Sequence, residues 1–158
     1  MGQVAEATIE INQPVGIVYS FLTDLNNMVF FWDRIKSVEK VSGDGGVGTI
    51  YNLISRTLLG GKKIFPIEIT KLMAHENFEY RDADSSSQIL TGYSLIDLDK
   101  KTKVTLYRKT NLGGLANLIT LSALTSRDVK REFEEILLGL KMYLEDVPEV
   151  PKVTEETT

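Results

Sequence analysis

The sequence predicts an α+β protein in which seven antiparallel strands pack against one long C-terminal helix. Three observations support this class. Apolar residues recur at every second position in short runs up to about residue 110. Short segments rich in Gly, Asp, Asn and Ser separate these runs, so neighbouring strands can pair as antiparallel hairpins. In the C-terminal third, between Val129 and Leu144, the apolar spacing changes to three and four, which is the period of an amphipathic helix.

The first third of the chain predicts one strand and two short helices. Residues 4–11, "VAEATIEI", alternate between apolar and polar side chains, as a half-buried strand does. Pro14 suits the first turn of a helix, where no amide hydrogen is needed. The apolar face of that helix is expected at Val15, Val18, Tyr19 and Leu22. A second short helix is expected to begin at Thr23 and Asp24 and to end near "FFW".

Six further strands are predicted between Ile35 and Thr110. They correspond to the segments "SVEKV", "GTIYNLISR", "KIFPIEITKL", "NFEYRDA", "QILTGYSLIDL" and "KVTLYRKT". The segments between them are "SGDGG", "LGGK", "AHEN", "DSSS" and "DKKT", which are typical of turns. The seven strands therefore include the one near the N-terminus, and all neighbours are expected to be antiparallel.

The C-terminal third predicts a helix from about residue 115 to residue 146. Its inner face is expected at Val129, Phe133, Ile136, Leu137, Leu140 and Leu144. Gly139 lies inside this helix, where glycine costs about 1 kcal/mol relative to alanine. We therefore expect another segment to approach Gly139 closely, or space to be needed beside it. The apolar segment 115–124 suits core packing, a gate over a cavity or a docking surface, and the sequence leaves these open.

The composition limits the classes of function. The chain has 158 residues, 22 acidic and 18 basic side chains and no cysteine. We expect one domain over residues 1–146 and a disordered tail over residues 147–158. The scattered basic residues argue against nucleic-acid binding, and no apolar run is long enough for integral membrane association. No signal peptide is recognised, and a reducing, cytoplasmic location is expected.

Residues 42–52, "SGDGGVGTIYN", contain the spacing G-x-G-x-x-G at Gly43, Gly45 and Gly48. In a dinucleotide-binding loop a helix follows these glycines and its amide groups face the pyrophosphate. Here the β-branched and aromatic segment "TIYNLISR" follows, and it predicts a strand. We therefore interpret the glycines as a hairpin connection with positive φ angles, and we expect no cofactor.

The same segment carries a family resemblance. "GDGGVGTI" at 43–50 resembles the glycine-rich loop between the second and third strands of plant pathogenesis-related ligand-binding proteins. The order of elements over residues 4–146 resembles the START, polyketide cyclase-like, helix-grip superfamily. The positions that match its opening helices are Pro14, Val18, Phe21, Asp24 and Trp32, and "VGT" at 47–49 matches the third-strand entry. The resemblance implies a curved sheet that grips the long helix and leaves a cavity between them.

This implied cavity predicts a ligand site for a hydrophobic small molecule or lipid. Its expected lining is apolar with a few polar groups, which is the usual composition of a ligand pocket. The predicted residues are Trp32, Tyr51, Leu53, Ile67, Ile69, Tyr80, Tyr93, Leu95, Arg108, Leu118, Phe133 and Leu137. For Arg108 three states are open: the side chain reaches solvent, pairs with a carboxylate such as Glu68, or meets an acidic ligand.

The sequence offers little for catalysis. The single histidine, His75, lies in the "AHEN" turn, and no nucleophile elbow or zinc-binding pair is present, so no metal is expected. The first hypothesis is therefore a binding or transport protein. An alternative is an enzyme that resembles polyketide cyclases, with Tyr51, Tyr93 and Arg108 as candidate proton-transfer residues. A second alternative, also implied by the superfamily, is a protein-interaction module.

Overall fold

The structure is a computed structural model, and it describes residues 2–84, 89–110 and 127–146. This part of the chain contains seven strands and three α-helices. In chain order they are β1 (Gly2–Ile11), α1 (Val15–Thr23), α2 (Met28–Phe31), β2 (Ile35–Ser42), β3 (Ile50–Arg56), β4 (Lys62–Met73), β5 (Asn77–Asp82), β6 (Ile89–Asp97), β7 (Thr102–Thr110) and α3 (Arg127–Asp146). A single 3-10 turn, Leu25–Asn27, joins α1 to α2. The predicted element order is confirmed, including both short helices between the first two strands.

The strands form one curved antiparallel sheet in the order β1-β7-β6-β5-β4-β3-β2. Strands β2 to β7 are joined as successive hairpins, as their short connections predict. Strand β1 pairs with β7 instead of β2, because α1 and α2 carry the chain across to the opposite edge of the sheet.

The core lies between the inner face of the sheet and α3, which contacts β1, β7 and α2. Period two places one face of every strand in this core. Helix α3 contributes a stripe at spacings of three and four, as the sequence predicts: Phe133, Ile136, Leu137, Leu140 and Leu144 are buried. From α1 the residues Val15, Val18 and Leu22 are buried against the same core.

The expectation for Gly139 is also confirmed. A Cβ atom at this position would lie 2.7 Å from the carbonyl oxygen of Phe31, the last residue of α2. The missing side chain therefore lets α2 and α3 approach each other closely. This contact holds the residues that follow α2 beside the N-terminal half of α3.

The glycine-rich segment is a hairpin connection between β2 and β3. Gly43, Gly45 and Gly48 have φ angles of 99°, 100° and 94°. The Gly48 amide donates to the Ile69 carbonyl oxygen at 2.8 Å, and the Ile69 amide donates to the Thr49 carbonyl oxygen at 3.0 Å. Strand β3 follows this connection, so the interpretation as a turn with positive φ angles is confirmed.

Three predictions fall on residues outside those described. They are the helical segment 115–126, with the candidate residue Leu118, and the tail 147–158. Helix α3 is described from Arg127 onwards. Among the helices that the structure describes, none has the length and apolar character to cross a bilayer.

Candidate functional site

A cavity of about 260 Å³ lies between the inner face of the sheet and α3. Its walls are formed by apolar and aromatic side chains with a small number of polar groups. The apolar part comprises Trp32, Ile35, Leu53, Phe65, Pro66, Ile67, Tyr80 and Ile89, and the polar part comprises Arg34, Asp82, Thr91, Arg108 and Glu132. This composition matches that of ligand pockets in general.

The topology places this cavity at one end of the sheet. Strand β2 begins here and β3 ends here, because Ile35 pairs with Ser55. At the same end β5 finishes at Asp82 and β6 begins at Ile89. Arg108 is near the end of β7, opposite Thr91. The cavity residues therefore come from distant parts of the sequence and meet because antiparallel pairing brings their strand ends together.

Arg108 is the polar group at the centre of this arrangement. Its guanidinium carbon lies 5.1 Å from the ring centroid of Phe133 on α3, which is a cation–π contact. Its Nε donates a long hydrogen bond of 3.4 Å to the Thr91 hydroxyl. The side chain is half-buried, and no described carboxylate forms an ion pair with it. The guanidinium thus keeps hydrogen-bonding capacity that a ligand can use.

The suggestion that Glu68 pairs with Arg108 is wrong. Glu68 forms an ion pair of 2.5 Å with Arg81, its cross-strand partner on β5. The reason is the period of the strand, because the alternation that buries Ile67 and Ile69 turns Glu68 to the outer face. Arg108 lies on the inner face and cannot reach it.

Tyr80 places a phenol on the cavity wall. Burial raises its pKa to about 12, and the nearby Arg108 charge opposes part of this rise. The hydroxyl is therefore protonated at neutral pH and can donate a hydrogen bond. Burial also raises the pKa of Tyr93 well above its ordinary value. The Tyr93 ring stacks on Phe78 with centroids 6.1 Å apart, and Tyr93 does not belong to the cavity lining.

A cluster of three side chains borders both the cavity and a second hollow. Trp32 Nε1 donates to Glu132 Oε2 at 3.3 Å, and Arg34 Nε lies 3.5 Å from the same oxygen. The second hollow is a groove of about 520 Å³ between α2 and α3, and all three residues line both spaces. We call this cluster the partition, because Trp32, Arg34 and Glu132 lie where the cavity and the groove border each other.

The structure describes eleven of the twelve predicted site residues, and these fall into three environments. Trp32, Leu53, Ile67, Tyr80 and Arg108 line the cavity. Phe133 contacts the Arg108 guanidinium from α3. The others that are described lie in the core away from the cavity lining: Tyr51, Ile69, Tyr93, Leu95 and Leu137. Leu118 lies outside the described residues. Whether any of these side chains contacts a ligand stays a prediction.

Sequence reasoning missed several lining residues, and for two of them a signal was present. Thr91 shares its face of β6 with Tyr93 by period two. Glu132 stands four residues before Ile136 on α3, at the border of the apolar stripe. No local pattern pointed to Arg34, because it follows α2 outside any periodic segment.

Neither metal nor histidine chemistry is evident in the described part of the molecule. Over residues 2–84, 89–110 and 127–146 no group of three or more His, Asp or Glu side chains could share a metal ion. His75 is exposed in the turn between β4 and β5, as the sequence predicts, and its ring contacts Tyr19 edge-on. This turn is at the opposite end of the sheet from the cavity.

Comparison with solved structures identifies the fold. No protein-family model matches the chain, and no curated protein is similar to it in sequence. The protein TTHA0849 from Thermus thermophilus superimposes with a TM-score of 0.67 at 18% identity, over 91% of this chain and 97% of that one. The di-domain ARO/CYC BexL from the BE-7585A biosynthetic pathway gives 0.68 at 18% identity, over 92% of this chain and 47% of BexL.

Ara h 8.0201 gives a TM-score of 0.62 at 17% identity, over 90% of this chain and 97% of that one. At these identities the likeness concerns the fold. It agrees with the observed element order and with the curved antiparallel sheet. The chain therefore has the helix-grip fold of the START and polyketide cyclase-like proteins.

Proposed function

We propose that this protein binds a compact hydrophobic small molecule in the cavity between the sheet and α3. The observation that carries the proposal is the lining itself, in which apolar walls surround Tyr80, Thr91 and Arg108. Apolar walls supply affinity, and a few oriented polar groups supply specificity. The helix-grip fold supports the proposal, because it leaves room for a guest between its two layers.

The size and charge of the cavity narrow the ligand class. A volume of about 260 Å³ is below the roughly 300–1,000 Å³ of most ligand pockets, so a ligand of one or two rings fits better than a long lipid chain. Arg108 and the protonated Tyr80 hydroxyl are both hydrogen-bond donors. The ligand we expect therefore combines an apolar body with a carbonyl, phenolate or carboxylate oxygen, which these two donors would contact.

The test fills the cavity without changing the surface. In Leu53→Trp the larger ring would occupy space in the cavity, whereas Ile96→Trp adds the same ring on β6 where the side chain is 51% exposed. We expect binding of an environment-sensitive apolar dye to fall at least about tenfold in Leu53→Trp, because the ring excludes it, and to be unchanged in Ile96→Trp.

Native mass spectrometry of the purified chain would identify any molecule that it retains. Circular dichroism and thermal melts establish that both variants are folded. The proposal fails if folded Leu53→Trp binds the dye as tightly as the unsubstituted chain does, or if no retained molecule and no displaceable dye are found.

A second candidate function is a cyclase-like enzyme that uses the same cavity. The observation that favours it is the pair of Arg108 and Tyr80, a cation and a neutral phenol that both line the cavity. Such a pair can stabilise an enolate oxygen and return a proton to it. BexL, which shares the fold, is an ARO/CYC protein of a biosynthetic pathway.

The enzyme hypothesis is tested by product analysis with a polycarbonyl substrate. Arg108→Ala and Tyr80→Phe should each change the product distribution, whereas Tyr93→Phe should not, because Tyr93 does not line the cavity. If all three variants give unchanged products, Arg108 and Tyr80 have no catalytic role, and only the binding function remains proposed.

A further inference from the structure

The hairpin between β3 and β4 ends in two leucines that project into solvent. Leu58 is 104% exposed and Leu59 is 99% exposed. Single apolar side chains are common on protein surfaces. Two adjacent, fully exposed leucines at a loop tip are less usual, and we call this pair, Leu58 and Leu59, the apolar point. This point is what a partner or an interface would bury first.

The backbone of the tip is closed by its own hydrogen bonds. The Thr57 amide donates to the Gly61 carbonyl oxygen at 2.8 Å, and the Gly60 amide donates to the Thr57 carbonyl oxygen at 3.0 Å. The Gly61 amide donates to the Thr57 hydroxyl at 3.0 Å. Gly60 adopts a φ angle of 88°, which this turn requires. Transfer of the tip from water to a less polar environment therefore costs less free energy, because several of its backbone polar groups already have hydrogen-bond partners.

The charge around the tip is of one sign. Arg56 precedes it, Lys62 and Lys63 follow it, and all three are exposed. Residues 50–67 contain no acidic side chain, although the chain as a whole has a net charge of −4. Within the described ranges no carboxylate pairs with any of these three cations. The hairpin is thus a local basic region with an apolar point on an acidic protein.

We propose that this hairpin attaches the protein to the surface of a bilayer that contains anionic phospholipids. Leu58 and Leu59 would enter the boundary between headgroups and acyl chains, where inserted apolar groups reach a depth of about 5–10 Å. The cations lie directly behind the turn, where Arg56 pairs with Lys62 across the hairpin, so they would be at the level of the headgroups. The local positive charge of the hairpin complements the surface of a bilayer that contains anionic phospholipids.

The hairpin tip lies at the same end of the sheet as the cavity. Leu53 and Phe65, on the same two strands, line the cavity. Attachment through the tip would therefore bring the cavity end of the sheet close to the membrane. The attachment itself does not depend on the proposed ligand binding, and it is measured without any ligand.

The experiment is vesicle co-sedimentation of the full chain, with vesicles of phosphatidylcholine alone and vesicles that also contain phosphatidylserine. We expect binding to the second kind, weakened by added salt because the cations contribute. The double variant Leu58→Ser/Leu59→Ser should lose roughly tenfold or more of this binding. Lys62→Gln/Lys63→Gln should lose roughly fivefold for each lysine.

Two matched controls separate the hairpin from general surface effects. Leu138→Ser/Met142→Ser removes two apolar side chains that are 50% and 55% exposed on α3. Lys100→Gln/Lys103→Gln removes two exposed cations at the opposite end of the sheet. Neither should alter vesicle binding. Absence of binding to phosphatidylserine vesicles, equal loss in the controls, or full binding by the leucine variant would each overturn the proposal.

Discussion

At the scale of single residues, the direction of a side chain from its strand decides what it can do. Glu68 and Arg108 have complementary charges, but the period of the sheet puts them on opposite faces. The face of each residue was readable from the sequence. The partner was not, because Arg81 becomes the neighbour of Glu68 only through the register of β4 against β5.

Tyr80 gives a prediction about stability at alkaline pH. Its pKa is about 12 in the folded protein, against an ordinary value of 10.0, because it is buried. Below pH 10 both states keep the proton, so its contribution to the free energy of unfolding does not vary with pH. Between pH 10 and pH 12 the unfolded chain loses the proton first, and stability falls by about 2–3 kcal/mol at most. Tyr80→Phe should remove this part of the decline.

The measurement is urea denaturation of both proteins from neutral pH to pH 12. The pKa of Tyr93 is also raised, so the variant should keep a reduced slope. A Tyr80→Phe protein whose stability falls as steeply as that of the parent would contradict the assignment.

At the scale of elements, the packing of α2 on α3 holds the partition in place. Helix α2 is only four residues long, so its position depends on its neighbours more than on its own hydrogen bonds. Gly139 provides the close contact with the Phe31 carbonyl group. Trp32 and Arg34 follow α2 directly, and Glu132 lies two helical turns before Gly139 on α3.

Gly139→Ala should therefore destabilise the protein although alanine favours helix. The new Cβ would lie 2.7 Å from a backbone oxygen that cannot rotate away. Overpacking of this kind costs about 1–3 kcal/mol, against a gain of about 1 kcal/mol in helix propensity. We expect a net loss of up to about 2 kcal/mol in the free energy of unfolding, measured by chemical denaturation.

The matched control is Gly16→Ala in α1. Its Cβ would meet the nearest atom, Nε2 of His75, at 3.6 Å, which is an ordinary contact. This variant should gain about 0.4–1 kcal/mol from the reduced entropy of the unfolded chain. If both substitutions change the free energy of unfolding in the same direction, the close contact at Gly139 is not the cause of the destabilisation.

At the scale of the whole molecule, we expect the partition to limit the length of a ligand in the cavity. The cavity of about 260 Å³ and the groove of about 520 Å³ meet at Trp32, Arg34 and Glu132. Glu132 holds the other two through a hydrogen bond and an ion pair. Arg34 is largely exposed, so loss of this ion pair should cost about 1 kcal/mol or less.

Glu132→Ala should shift the ligand preference towards longer molecules, because it joins the two spaces. We expect affinities for a series of apolar ligands of increasing chain length to rise severalfold at the long end, measured by dye competition. The control is Glu135→Ala, since Glu135 lines the groove but not the cavity. An unchanged length preference in Glu132→Ala, or the same change in Glu135→Ala, would show that the partition does not limit ligand size.

The sequence by itself determined the order of the elements, their antiparallel pairing and the side of each element that is buried. Residues 4–11, the glycine-rich turn and the stripe on α3 show why, because period and turn chemistry are local properties. Even the close approach at Gly139 was readable from one residue that its helix would otherwise disfavour.

Only the tertiary structure decided which buried residues border a cavity and which fill the core. Tyr80 and Tyr93 are both buried tyrosines on the inner face, yet one lines the cavity and the other stacks on Phe78. The difference is the volume left between a curved sheet and a helix. That volume is set by the curvature and by all facing side chains together, so no local pattern in the sequence encodes it.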